Sequence, residues 1–159
     1  MAEVKPDIEI LEFAISREIQ AREFFLELAR RVTRPSFQKF FEELADEESE
    51  HKEKLELEIM KLGKTVSDET EYTGANKEFI ISDTRMLDNM DYKDILLLGM
   101  EKEEASFRTY VNLLSSVREQ SSRELLLALA EEEVRHKLRF QTEYDFITRK
   151  KRSADESDD

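Results

Sequence analysis

Two closely similar stretches, Leu44–Lys52 (LADEESEHK) and Leu129–Lys137 (LAEEEVRHK), contain the only two histidines of this 159-residue chain. These histidines, His51 and His136, lie 85 residues apart, and a shift of 85 residues aligns the sequence around them without a gap. Each histidine follows one glutamate by three residues and another by 33 residues. The chain therefore carries one template twice, a Glu followed much later by Glu-x-x-His.

Length and composition limit the class of protein. The length fits one domain, and three Gly with two Pro are too few for an all-β sandwich or barrel. The absence of Cys excludes disulfides, Cys-ligated metal sites and cysteine nucleophiles. The net charge of −13 disfavours nucleic acid and anionic membranes as partners. No apolar run is long enough to cross a bilayer and no signal peptide is recognisable, so we predict a cytoplasmic protein.

Apolar residues recur at steps of three or four over four long segments, which predicts amphipathic helices. The predicted helices run over Pro6–Val32, Pro35–Leu62, Asp91–Val117 and Ser121–Thr148. Thr33 is the predicted N-cap of the second helix and Gly63 its C-terminal stop. Asp91 is the predicted N-cap of the third helix. Ser121 and Glu124 have the spacing of a capping box at the start of the fourth.

The lengths of the connections predict how the helices are arranged. Short loops join the first helix to the second and the third to the fourth, which makes two antiparallel hairpins. About 28 residues, 63–90, separate the hairpins, and Lys77–Ile81 could form a short helical turn within them. We predict an all-α, ferritin-like four-helix bundle with one long crossover, formed by residues 1–148. Residues 149–159 form a charged tail that we predict to be disordered.

Four glutamates of the two templates lie on the apolar stripes of their helices: Glu18, Glu48, Glu103 and Glu133. Glu18, for example, has Ala14 and Ala21 one turn away on the same helix face. Glu-rich runs are usually solvated helix faces, but four carboxylates in a core would be strongly destabilising without compensation. Two divalent cations would neutralise them. In a second register, Glu47 and Glu132, four residues before each histidine, replace Glu48 and Glu133.

This pattern resembles the ferritin-like di-iron carboxylate proteins, and within them the rubrerythrins, over about Pro6 to Thr148. The resemblance implies six metal ligands: terminal carboxylates Glu18 and Glu103, bridging carboxylates Glu48 and Glu133, and imidazoles His51 and His136. It implies two bound iron ions, and the same donors suit manganese.

The segment Glu103–Tyr110 is similar to the family's helix pattern, which ends in Tyr, whereas Glu18–Phe25 repeats the pattern with Phe. Tyr110 is therefore a candidate catalytic residue, as a hydrogen-bond donor to a ligand or as a one-electron relay. The alternative is an ordinary interior tyrosine. The chain also departs from the family, since Met100 stands where many rubrerythrins have an additional Glu. The Cys-ligated rubredoxin-type iron centre of classical rubrerythrins is missing too, so electrons must come from another protein.

The resemblance implies an oxidoreductase that reduces hydrogen peroxide in oxidative-stress defence, of which a manganese catalase would be a variant. The alternatives are a ferroxidase or iron-binding protein, with dioxygen as the oxidant, and a non-catalytic helical scaffold. We further predict a homodimer. The clustered residues Phe37, Phe40 and Phe41 belong to the core or to such an interface, and we predict that at least two of them are core.

Overall fold

The computed structural model of the chain describes residues 5–66 and 90–157. Its four helices are α1 (Lys5–Arg31), α2 (Pro35–Lys61), α3 (Tyr92–Leu114) and α4 (Gln120–Ser157). The described ranges contain no strand, so the predicted all-α architecture is confirmed. No helix in these ranges is long and apolar enough to span a membrane.

Helix packing follows the predicted hairpins. α1 packs along α2 and α3 packs along α4, while α2 meets α4 and α1 meets α3 over smaller areas. The two hairpins thus form a four-helix bundle. Most of the predicted crossover, including the turn over Lys77–Ile81, lies outside the described residues.

Two of the predicted helix-end signals are confirmed and two are wrong. Gly63 follows α2 with a φ of +97°, a conformation that glycine adopts without steric cost. Asp91 caps α3, because its side chain accepts a hydrogen bond from the backbone N–H of Asp94 at 2.9 Å. The predicted N-cap Thr33 is wrong. Arg34 occupies that position without a side-chain hydrogen bond, because Pro35 takes the first helical position and so makes the residue directly before it the N-cap.

The predicted capping box at the start of α4 is also wrong. The Ser121 hydroxyl instead donates to the Glu58 carboxylate of α2 at 2.6 Å, and Glu124 accepts from the side-chain amide of Gln120 at 3.1 Å. The fully buried Asp7 of α1 accepts from the backbone N–H groups just before the helix, at 3.0 and 2.8 Å. A carboxylate from another helix therefore satisfies these donors.

α4 extends nine residues beyond the predicted end at Thr148, so the predicted disordered tail begins as helix. The sequence from residue 120 to residue 157 contains no Gly or Pro that would stop the helix.

The apolar core forms two clusters, one toward each end of the bundle. One is rich in phenylalanine and includes Phe40, Phe41 and Phe140, which confirms a core role for two of the three residues of the Phe37 cluster. The other is mostly aliphatic and includes Leu11, Leu55 and Leu126. Along α2, α3 and α4, a short buried polar segment separates the two clusters, and the buried Glu18 of α1 lies beside this segment.

Candidate metal centre

The buried polar segment contains all six residues that the sequence analysis selected. Each of them exposes 3% or less of its surface: Glu18 on α1, Glu48 and His51 on α2, Glu103 on α3, and Glu133 and His136 on α4. Every helix contributes at least one of these residues. Residues three or four apart share one face of a helix, and these positions fall on the faces that point into the bundle. The bundle therefore gathers four carboxylates and two imidazoles in its interior.

The six residues divide into two overlapping groups, each with ligand atoms within 4.8 Å of one another. One group adds Glu18 and His51 to a shared pair of carboxylates, and the other adds Glu103 and His136 to the same pair. The shared carboxylates are Glu48 and Glu133. Each group could hold one cation, and these two carboxylates are common to both groups.

Both imidazoles turn Nδ1 toward the carboxylates. Nδ1 of His51 lies 3.5 Å from Glu18, 3.5 Å from Glu48 and 3.4 Å from Glu133. Nδ1 of His136 lies 3.1 Å from Glu48, 3.5 Å from Glu103 and 3.9 Å from Glu133. Except for the 3.1 Å contact between His136 and Glu48, these distances are longer than a good hydrogen bond. The carboxylates and the two Nδ1 atoms thus surround a common space.

Unsatisfied buried polar atoms concentrate at this site. Eight buried side-chain N or O atoms of the described residues lack a hydrogen-bond partner, and seven of them belong to these six residues. They are Glu18 Oε2, Glu48 Oε1, His51 Nδ1, Glu103 Oε2, Glu133 Oε1 and both ring nitrogens of His136. Leaving such atoms unpaired is costly. Oxygen and imidazole donors that converge without partners are the arrangement that a divalent metal requires.

The pKa values reflect the crowding of carboxylates in the metal-free protein. Burial and the charges of neighbouring carboxylates raise the pKa values of Glu48 and Glu103. Burial also opposes ionisation of Glu18, but its interactions with Glu48 and His51 outweigh burial and lower its pKa. Burial would lower the pKa of His51, yet the carboxylates of Glu133, Glu18 and Glu48 around its ring raise it to about 12. In the metal-free protein, protonated His51 thus supplies part of the positive charge that a bound cation would supply.

Tyr110 on α3 contacts this site directly. Its hydroxyl donates a hydrogen bond to Oε1 of Glu18 across the α1–α3 interface. Burial and the charge of Glu18 raise the pKa of Tyr110, which keeps the hydroxyl protonated and able to donate. The equivalent residue of the first hairpin is the buried Phe25, which has no hydroxyl to offer Glu103. The hydrogen bond therefore supports one terminal carboxylate only.

The alternative register places Glu47 and Glu132 outside the carboxylate cluster. Glu47 is partly exposed, and its Oε2 lies 2.5 Å from Nε2 of His136, on the opposite side of the ring from the cluster. Glu132 pairs with Arg135 at the surface, although it also lies within 4.8 Å of both histidines. The sequence spacing alone left these two glutamates as candidate ligands. It did not indicate that Glu47 contacts Nε2 of His136, the ring nitrogen that faces away from the cluster.

Met100, which stands where the additional glutamate of many rubrerythrins is found, is buried in the phenylalanine-rich cluster.

A small cavity, with room for about one water molecule, lies on the α1–α3 side of the site. Its lining includes Ala14, Ala21, Ser106 and Tyr110, beside the carboxylates of Glu18 and Glu48. Small side chains leave this space between two otherwise packed helices.

Comparison with known proteins identifies the family of the chain. A family model described as Rubrerythrin matches residues 9–144. A hypothetical protein from Pyrococcus furiosus is 25% identical with a TM-score of 0.64, and the match covers 94% of each chain. A bacterioferritin-related protein from Bacteroides fragilis, described as a dodecameric thioferritin, is 20% identical with a TM-score of 0.68. That match covers 94% of this chain and 90% of the other, and it supports the fold alone. No curated protein matches the chain. The match to the family model nonetheless spans most of the sequence, and the chain therefore belongs to the rubrerythrin family.

Proposed function

We propose that this protein holds two iron ions in the six-residue cluster and reduces hydrogen peroxide there. The observation that carries the proposal is the pair of four-residue groups that share Glu48 and Glu133. When all four buried carboxylates are ionised they carry four negative charges, which two divalent cations would neutralise. Membership of the rubrerythrin family supports iron, and carboxylate and imidazole donors suit iron or manganese.

The proposed ligands follow the two groups. Glu18 and His51 would hold one ion, and Glu103 and His136 the other. Glu48 and Glu133 would bridge the two. When bound, the two ions supply the two electrons by which peroxide is reduced, with two protons, to two molecules of water. An external electron-donor protein would then restore the electrons, because the chain has no cysteine for an iron–sulfur centre.

The space beside the site supports a small oxidant. The cavity lined by Ala14, Ala21 and Ser106 has room for about one water molecule, so hydrogen peroxide or dioxygen fits it better than an organic substrate does. The surrounding helices keep bulk water away from Glu18 and Glu48, which strengthens the interactions of charges within the site.

In this account Tyr110 is a positioning residue. Its hydroxyl holds Oε1 of Glu18, so that Oε2, which faces Nδ1 of His51 at 3.5 Å, stays directed toward the cluster. Among the described residues, no tyrosine hydroxyl donates to Glu103 as Tyr110 does to Glu18, since Phe25 occupies the equivalent place. We therefore propose that Glu103 is the more mobile of the two terminal carboxylates.

Iron oxidation for storage is the second candidate function, because one structural neighbour is described as a dodecameric thioferritin. Ferritin-type storage needs a closed shell of many subunits. Size-exclusion chromatography with light scattering separates this case from the homodimer that we propose. A mass near twelve subunits would favour storage, and a mass of two subunits would favour the peroxide reductase.

The proposed reaction is tested by loading the protein anaerobically with Fe(II) and following its oxidation by stopped-flow absorbance. One experiment uses hydrogen peroxide and a second uses dissolved oxygen at equal concentration. We expect oxidation to be much faster with peroxide. Oxidation that is faster with dioxygen would contradict the proposal and favour a ferroxidase. Protein that carries Glu48→Ala and Glu133→Ala serves as the control for iron oxidised in solution.

A further inference from the structure

The two halves of the site differ in what lies behind the histidines. Behind His136, Oε2 of Glu47 approaches Nε2 to 2.5 Å, from a helix other than that of the histidine. At the equivalent place in the second hairpin, Glu132 pairs with Arg135 on its own helix. Glu132 also lies within 4.8 Å of a ring nitrogen of His51. The two halves therefore differ in how closely the retained glutamate approaches the facing histidine.

Glu47 is itself held in place. Nη1 of Arg139 lies 3.2 Å from each oxygen of the Glu47 carboxylate, and Nη2 lies 3.2 Å from Glu43. The guanidinium group also lies over the ring of Phe40, 5.3 Å from its centroid. Two carboxylates and an aromatic ring thus orient Arg139, and Arg139 orients Glu47. The equivalent of Arg139 in the first hairpin is Lys54, which is exposed and lacks a planar group of this kind.

The contact between Glu47 and His136 has the distance of a hydrogen bond but not its alignment, since the ring N–H does not point along it. The terminal torsions of Glu and His are broad, so a small rotation of either group aligns the two. A carboxylate that accepts the Nε2 proton fixes the tautomer in which Nδ1 is unprotonated and free to bind a metal.

We propose that Glu47 is a positioning residue for His136: held by Arg139, it accepts the Nε2 proton and keeps Nδ1 directed at the carboxylate cluster. This inference rests on the proposed metal centre, but it does not depend on the oxidant or on peroxide reduction. It makes the two metal positions unequal, because Glu47 supports the imidazole of one while Tyr110 supports the carboxylate of the other.

The test uses zinc, which is diamagnetic and has no redox chemistry, with histidine labelled by ¹⁵N. The chain has two histidines, so His51 serves as an internal reference. In the zinc-loaded wild type we expect the Nε2 proton of His136 to exchange slowly with water. In Glu47→Ala this proton should exchange much faster, while the His51 signals stay unchanged. Glu47→Gln keeps an acceptor oxygen and should restore most of the protection.

Glu132→Ala is the matched control, because it removes the equivalent glutamate of the second hairpin. We expect zinc affinity to fall about 10–100-fold in Glu47→Ala and to change little in Glu132→Ala. An unchanged His136 signal in Glu47→Ala, or the same loss in Glu132→Ala, would overturn the role of Glu47. A wild-type protein that binds no zinc at the six residues would overturn the metal centre as well, which separates the two failures.

Discussion

The imidazole rings of His51 and His136 lie almost parallel, with 9° between their planes and 5.7 Å between their centroids. The two residues are 85 positions apart in the sequence and come from α2 and α4. Both turn Nδ1 toward the shared carboxylates Glu48 and Glu133. The two copies of the sequence repeat thus place their histidines as a nearly symmetric pair around one carboxylate cluster. The small differences between the two halves of the site can be tested separately.

Removing both shared carboxylates should abolish tight metal binding, because Glu48 and Glu133 belong to both four-residue groups. The variant Glu48→Ala with Glu133→Ala, loaded anaerobically with Fe(II) and desalted, should retain no stoichiometric iron. The matched control replaces Glu50 and Glu131, which are exposed on the same two helices, and should bind iron like the wild type. Iron retained in full by the first variant would disprove the bridging assignment.

Tyr110→Phe should destabilise the metal-free protein by about 1–3 kcal/mol, because it leaves a buried carboxylate oxygen of Glu18 without its donor. Phenylalanine fits the bundle at this level, since Phe25 occupies the equivalent position. Urea unfolding measures the difference.

Tyr92→Phe is the control for that experiment. The Tyr92 hydroxyl is buried and has no hydrogen-bond partner among the described residues, so its removal should cost nothing measurable. Equal losses in the two variants would mean that the hydrogen bond from Tyr110 to Glu18 does not contribute to stability.

The metal-free protein should lose stability as the pH rises. The pKa values of Glu48 and Glu103 are raised, so their contribution is complete below the ordinary value of 4.5 and is lost above it. The contribution of His51 is complete below 6.5 and is lost as the pH approaches its raised pKa of about 12. Glu18 has a lowered pKa and acts in the opposite direction, since its contribution is lost as the pH falls below 4.5.

Melting curves between about pH 5 and about pH 9 measure this dependence. Metal competes with protons for the ligands, so the stabilisation by metal should grow over the same interval. The net charge of −13 also lowers the stability of the folded protein at high pH, because its like charges repel one another. A matched pair of variants separates the contribution of the site from this general effect. Glu48→Gln should flatten the pH dependence more than the exposed Glu50→Gln does. A metal-free protein that becomes more stable toward pH 9 would contradict the account.

Asp7→Ala should reduce stability by about 1–3 kcal/mol, because it removes the fully buried acceptor for the backbone N–H groups of Arg118 and Glu119. Iron stoichiometry should not change, since Asp7 is not among the six proposed ligands. Glu9→Ala, at an exposed position of the same helix, is the control for thermal unfolding. A loss of iron binding in Asp7→Ala would show that the cap also positions the site.

Much of the fold could be predicted because it follows from local patterns. Helical periodicity and connection length predicted the four helices and their pairing, and Gly63 and Asp91 end and begin helices as their chemistry suggests. The six buried polar residues could be selected because the repeat marks them twice. A single Glu-x-x-His would not have separated Glu48 from the Glu-rich run around it.

The remaining features depend on contacts between residues far apart in the sequence. The start of α4 is determined by Asp7, 111 positions before Arg118, and by Glu58, so a local capping box was the wrong prediction. The role of Glu47 depends on how α2 faces α4, which the spacing of residues on one helix does not reveal. Tyr110 was selected by the family pattern, but its partner Glu18 lies on another helix and is known only from the structure.

The most direct test of the central claim is the anomalous scattering of iron in crystals of protein loaded anaerobically with Fe(II). The account predicts two iron positions per chain, one beside Glu18 and His51 and the other beside Glu103 and His136, with Glu48 and Glu133 in contact with both. A single iron position, or iron bound away from these six residues, would contradict the dinuclear centre.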